Sequence, residues 1–293
     1  MPNRILTGTR ASILQSSLGA DGTNAECHGN TDGVQPNDRA ILAHVKVTQI
    51  FWGQFYADHP DALDFGTQLC KDLISGPYFN GLAQYGVGHG SLGDTGRVLQ
   101  KAAPKTLSED EARDAVKEFV GGGGFTPPAT NETSRLYVLY LPVETRPTIA
   151  SGKDDFCGYH KSTKIDDLSR HDDLFYVIIR TDKVADLSSG ASLIRSVSAC
   201  VSHEIAEAVT DRDGRGYHGA PCEIGDLCEQ NGTFKYRGWD VEQYWSQLDR
   251  SCINGDQAVS LRQFLQAKTG HLGSLRIFGP TTIDTDFIAS QFR

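Results

Sequence analysis

The apolar positions of the chain fall into a few clearly periodic stretches. From Ala191 to Thr210, Leu193, Ile194, Val197, Cys200, Val201, Ile205, Ala208 and Val209 recur at steps of three and four, which predicts a largely buried helix. Val45–Trp52 starts with strict alternation and ends in large apolar residues, the pattern of a strand. Asp61–Ser75 then brings Ala62, Phe65, Leu69 and Leu73 to one helical face. Ser108-Glu109-Asp110-Glu111 reads as a capping box opening a helix with Ala112, Ala115, Val116 and Phe119 inward, stopped by the glycines from Gly121 to Gly124. Arg135–Leu141 and Leu174–Arg180 are the clearest strands, nearly all β-branched, aromatic or leucine, and are expected to lie side by side at the centre of a sheet.

Weaker patterns fill the rest. Gly76–Gly96 is glycine-heavy, matches neither a phosphate-cradling loop nor a dinucleotide turn in full, and reads as a flexible wall beside a cleft. Phe156–His160 reads as a short strand leading into a turn, and Thr233–Trp239 with Val241–Ser246 as a pair of short strands. A small helix is expected over Ser260–Lys268 and a last short element over Ile283–Arg293. The class that follows is α/β of mixed type (α+β), a small mixed sheet from the strands near 45, 136 and 175 with the 191–210 helix packed on it. Residues 1–40, rich in Gly, Asn, Asp and Ser, form an irregular arm, 41–256 the main domain and 257–293 a C-terminal cap.

The chemistry lies on the 191–210 helix, within Ser202-His203-Glu204-Ile205-Ala206-Glu207. At about 100° per residue, Glu204 projects between Leu193 and Val197, and His203 and Glu207 sit one turn apart on the adjoining edge of the apolar arc. Ionised carboxylates in an apolar setting need a cation, a metal or dense hydrogen bonding. His-Glu-x-x-Glu differs by one ligand from the His-Glu-x-x-His helix of zinc peptidases, and zinc accepts carboxylate oxygen beside imidazole nitrogen. A further ligand is sought in the acidic segment Cys222–Glu229. The expected metal residues are His203, Glu207, Glu223 and Asp226, with Glu204 as general base. Asp226 would orient His203, although Glu223 and Asp226, three residues apart, could exchange roles, and His160 is a reserve ligand. Solvated acids on a half-exposed helix are the plain alternative.

Composition narrows the class. With 39% hydrophobic and 22% charged residues the chain is an ordinary globular protein, and a net charge of −9 without a Lys/Arg run disfavours nucleic acid or an anionic membrane as partner. No apolar stretch approaches a membrane span, and the first residues lack the apolar segment of a signal peptide, so the expected compartment is cytoplasmic. Seven cysteines leave at least one thiol unpaired within the chain; without a secretion signal, reduced thiols are the default even for the neighbouring Cys222, Cys228 and Cys252.

With these elements placed, the chain resembles the phosphate-induced, or EXORDIUM-like, family. The likeness is carried by Ser202–Glu207 followed by Glu223-Ile224-Gly225-Asp226-Leu227-Cys228-Glu229, by the turn Cys157-Gly158-Tyr159-His160, and by Trp245-Ser246 leading to Cys252. It covers the middle two thirds and implies a zincin-like domain with a metal site, and a secreted protein if the family habit holds. The leading expectation is a zinc-dependent (Zn2+) hydrolase acting on a peptide or a small amide-containing substrate. One rival is a non-catalytic protein stabilised by zinc or calcium, since oxygen-rich shells favour hard cations. The other is a thiol enzyme using Cys200 or Cys157.

Overall fold

The computed structural model describes residues 40–255, except 95, 123, 130, 131, 153, 168, 169, 220 and 221, together with 275–276 and 282–283. In chain order these form β1 (Lys46–Trp52), α1 (Gln54–Asp58), α2 (Asp61–Ile74), a 3-10 helix (Pro77–Tyr85), β2 (Ser91–Leu92), β3 (Arg97–Leu99), β4 (Thr106–Ser108) and α3 (Glu109–Gly121). There follow β5 (Arg135–Tyr140), β6 (Arg146–Thr148), β7 (Gly158–Asp167), β8 (Arg170–Ile179) and α4 (Gly190–Thr210). The last part holds β9 (His218–Gly219), β10 (Cys222–Glu223), a second 3-10 helix (Asp226–Asn231), β11 (Thr233–Tyr236), β12 (Trp239–Glu242), β13 (Tyr244–Ser246), β14 (Ser251–Ile253), β15 (Leu275–Arg276) and β16 (Thr282–Ile283).

The central sheet runs β2-β1-β5-β8-β7, with β3 also on β1. β1, β5 and β8 are parallel, so the strands expected near 45, 136 and 175 are neighbours, and β7 closes the edge antiparallel to β8. The mixed α/β class therefore stands. Each central strand is apolar on both faces, as strands covered on both sides must be. Leu136, Val138 and Tyr140 share one core with Phe175, Val177 and Ile179, under α2 and α4. Tyr137 and Leu139 share the other with Leu174, Tyr176 and Ile178, under α3. Alternation then fixes β7: Tyr159 belongs to the α3 side, so His160, paired with Val177, faces α4.

α4 starts at Ser189, whose hydroxyl accepts from Ser192 N, while the Asp61 carboxylate accepts from Gly190 N and Ala191 N. Both satisfy amides that a helix start leaves open, and the negative charge suits the helix dipole, together contributing about 1–2 kcal/mol. The capping box at Ser108 and Glu111 is present on α3.

Three expectations give way. The glycine-heavy 76–96 segment is not a flexible wall, because Tyr78, Phe79, Leu82 and Tyr85 are buried along its 3-10 helix. Phe156–His160 is not a short strand into a turn; it leads into a ten-residue strand whose hairpin partner is β8. The thiols are not all reduced: Cys157 pairs with Cys200 and Cys228 with Cys252, Cys222 is disulfide-bonded, and Cys70 is free. The first pair removes both nucleophiles that a thiol enzyme would need. Of the arm expected over 1–40 all but Ala40, the helix expected over Ser260–Lys268, and all but Ile283 of the element expected over Ile283–Arg293 lie outside the described residues. Among those described, no helix is long and apolar enough to cross a membrane.

Candidate metal centre

α4 brings three functional side chains to one place because positions i, i+1 and i+4 span a narrow arc. Glu204 points toward β7, His203 toward β12 and the second 3-10 helix, and Glu207 sits between. His203, Glu204 and Glu207 are 4%, 0% and 0% exposed, and Glu223 and Asp226 are buried as well. All five residues expected at the site are therefore brought together.

On one flank, His203 Nδ1 is 2.6 Å from Glu242 Oε2, and its Nε2 lies 3.2 Å from Glu207 Oε2 and 3.8 Å from Asp226 Oδ1. Asp226 thus stands at the outward nitrogen, and the residue that orients the ring is Glu242, which the sequence reading did not name. Glu242 is held in turn by its backbone N–H donating to Ser202 Oγ, one residue before His203. The acidic segment is clamped to α4: Asp226 N donates to Glu207 Oε1 at 3.1 Å, and Glu223 N donates to Asp226 Oδ2.

On the other flank, His160 Nε2 donates to the Asp211 carbonyl at 3.0 Å and lies 3.5 Å from Glu223 Oε2. Its Nδ1 faces Glu204 Oε2 at 3.4 Å and Glu207 Oε2 at 3.9 Å. Two glycines permit the approach. A Cβ on Gly225 would lie 2.8 Å from Glu207 Oε1 and 2.9 Å from His203 Nδ1, and one on Gly158 would lie 3.0 Å from Glu204 Cγ.

The electrostatics are lopsided. Among the described residues, no Lys or Arg pairs with Glu204, Glu207, Glu223 or Glu242, and one oxygen of each is buried without a hydrogen-bond partner. Burial alone would push the His203 imidazole down, yet Glu207 and Glu242 outweigh it and hold the ring well above its ordinary range; Glu204 and Glu207 similarly raise His160. Burial raises Glu204, and burial together with Glu207 and Asp226 raises Glu223 well above the usual carboxylate range. Glu207 resists its own burial because His203 and His160 flank it, and falls to about 2. The cluster therefore carries surplus negative charge that protons or a cation must offset.

The donor set fits a metal. A tetrahedral ion about 2.1 Å from each ligand holds its ligands about 3.4 Å apart. Two triads approach that spacing, His203/Glu207/Asp226 and His160/Glu204/Glu207, each with its donor atoms within 4.8 Å of one another. In each histidine the remote ring nitrogen meets an oxygen acceptor, the arrangement that fixes tautomer and orientation in metal-ligating histidines.

No family model and no curated protein matches the chain. A crystal structure of metalloproteinase-II from Bacteroides fragilis is similar at 13% identity and a TM-score of 0.31, over 61% of this chain and 46% of that one. At that score the likeness is too shallow to assign a fold.

Proposed function

We propose that this protein is a metal-dependent hydrolase acting on peptide or amide bonds, with the metal held by His203, Glu207 and Asp226 and with Glu204 as general base. The observation that carries it is the His203 ring, fixed at Nδ1 by Glu242 while Nε2 faces two carboxylates, with a further buried carboxylate one residue along α4. An imidazole among the ligands favours zinc over calcium, which takes oxygen. A bound zinc would supply Lewis acidity toward a carbonyl and an acidified water.

The protein's own groups perform the rest. Glu204 Oε2 faces His160, leaving Oε1 as the unpartnered atom that takes a proton from the attacking water and passes it to the departing nitrogen. Burial raises this carboxyl from the usual range toward the working range of a base. Glu242 keeps the His203 lone pair aimed, and Glu223 stands over the His160 flank. The resemblance to the EXORDIUM-like family and its zincin-like domain belongs to the same proposal, and the disulfides support an oxidising, secreted setting over the cytoplasm.

Burial of every member favours a second reading, a closed ion that only holds α4 to the acidic segment. Elemental analysis of purified protein, with Glu204→Gln and His203→Ala assayed on a peptide and amide panel, separates the two. The hydrolase predicts that Glu204→Gln keeps the ion at His203 and loses turnover, while His203→Ala loses that ion and turnover with it. A metal-loaded wild type that turns over nothing in the panel, and whose stability falls on chelation, supports the closed ion.

A further inference from the structure

We infer that the cluster holds a second divalent-cation site, made by His160 Nδ1, Glu204 and Glu207, whose filling switches the hydrolytic centre off by taking the base as a ligand. This rests on the function proposed above and adds its regulation.

The geometry on β7 carries it. His160 Nε2 lies 3.0 Å from the Asp211 carbonyl, so in the neutral ring the single N–H is spent there and the Nδ1 lone pair faces Glu204 Oε2 and Glu207 Oε2. A lone pair facing two carboxylate oxygens at 3.4 and 3.9 Å is repulsive unless a proton or a cation sits between them. The spacing matches a tetrahedral ion, whose ligands stand about 3.4 Å apart. A further atom points to a cation: Glu204 Oε1 is fully buried and accepts no hydrogen bond. An unmet buried acceptor is costly, the more so when charged, and a proton on His160 Nδ1, which faces Oε2, does not meet it.

Glu207 belongs to both triads, so the two sites share a bridging carboxylate. The first ion, at His203, leaves Glu204 free to move a proton. The second recruits Glu204, and a carboxylate bound to a cation no longer accepts the water's proton. The first has Asp226 as a ligand of its own, whereas the second depends on the base and the shared bridge, which makes it the weaker of the two.

Zinc, and cobalt(II) as a coloured probe, would be titrated into the full chain at fixed pH, with stoichiometry read by equilibrium dialysis and elemental analysis and site character by visible absorption. Two equivalents are expected for wild type and one each for His160→Ala and His203→Ala, with hydrolysis rising over the first equivalent and falling at least tenfold over the second. His160→Gln, of similar bulk, serves if the alanine variant melts early, and is likewise expected to bind one. Saturation at one equivalent, lost in His203→Ala and kept in His160→Ala, overturns this inference and leaves the hydrolase standing. No binding at all overturns both. Two equivalents that persist in both His160 variants place the second ion elsewhere and overturn it as well.

Discussion

Gly225→Ala tests the proposed metal centre apart from the rest of the fold. The backbone at Gly225 has φ −75° and ψ −48°, ordinary helical values that alanine adopts freely. The added methyl would meet Glu207 Oε1 at 2.8 Å, His203 Nδ1 at 2.9 Å and His203 Cε1 at 3.0 Å. Comfortable carbon contacts lie at about 3.5–4.0 Å, so the ring and the carboxylate must retreat about 0.5–1 Å. Neither retreats easily, since Glu242 holds His203 at 2.6 Å and Asp226 N holds Glu207 at 3.1 Å. Metal–ligand distances tolerate only about 0.2 Å, and disturbing such supports lowers affinity about 10–100-fold, or about 1.4–2.8 kcal/mol. Without metal, overpacking of about 1–3 kcal/mol is partly offset by about 0.4–1 kcal/mol from a stiffer unfolded chain, so the metal-free Tm should drop by only a few degrees. Chelator competition gives the affinity and calorimetry the melt. Gly121→Ala, where a Cβ meets nothing within 4 Å, is the control and should bind metal like wild type. A Gly225→Ala protein whose metal Kd stays within twofold of wild type would refute the assignment of His203 and Glu207 as ligands.

Three other outcomes are expected. Glu242→Gln keeps an acceptor for His203 Nδ1–H but removes the charge, so metal affinity falls about tenfold and the metal-free His203 ring titrates at lower pH by NMR; an unmoved titration would sink the orienting role. The metal-free protein should lose stability as pH rises. His160 and His203 titrate above their ordinary 6.5 and Glu204 and Glu223 above 4.5, so their contributions are complete below those values and vanish as pH climbs through the raised ones. Glu207 runs oppositely, stabilising above 4.5 and failing as pH falls toward about 2; a metal-free Tm that climbs from pH 5 to 8 would contradict the charge balance described here. Replacing Cys228 and Cys252 together by serine opens a link spanning 24 residues, worth about 3 kcal/mol or roughly 6–12 °C in Tm by calorimetry, and an unchanged melt would show the link to be idle.

The elements that sequence revealed are those with long apolar periods. β1, β5, β8 and α4 are buried on both faces or nearly all round, so each residue repeats the same message. β7 was hidden because its edge position leaves the Lys161–Asp167 stretch mostly polar, and only the step from inward Tyr159 to His160 betrays which face meets α4. The buried 3-10 helix is masked by Gly81 and the glycines that flank it, although Pro77 at its start and the spacing of Tyr78, Phe79, Leu82 and Tyr85 are visible. Glu242 carries a weaker signal than Glu204, an acid followed by Gln243 with only Val241 and Tyr244 as apolar neighbours in a short strand. The hairpin turn lies at Arg237 and Gly238, both with positive φ, so Trp239 opens β12 rather than closing the first strand as expected.

The centre is assembled from parts that would repel one another if α4 did not hold them. Its acids come from α4 itself, from the Glu223–Asp226 turn and from β12, and its second imidazole from the edge of the main sheet. Each flank is tied down next to the cluster. Cys157, three residues before His160, is bonded to Cys200, one turn before Glu204, which pins β7 to α4. Cys228, two residues after Asp226, is bonded to Cys252 on β14, which pairs with β13 just beyond Glu242. Tyr78 adds a third tie, its hydroxyl reaching the carbonyls of both Ser202 and Glu242. Covalent and hydrogen-bonded ties of this kind keep the acids converged through the metal-free state, where their mutual repulsion would otherwise open the site. If the proposed metal binds, it would supply charge neutralisation rather than folding, unlike an ion around which the ligands gather only when it arrives.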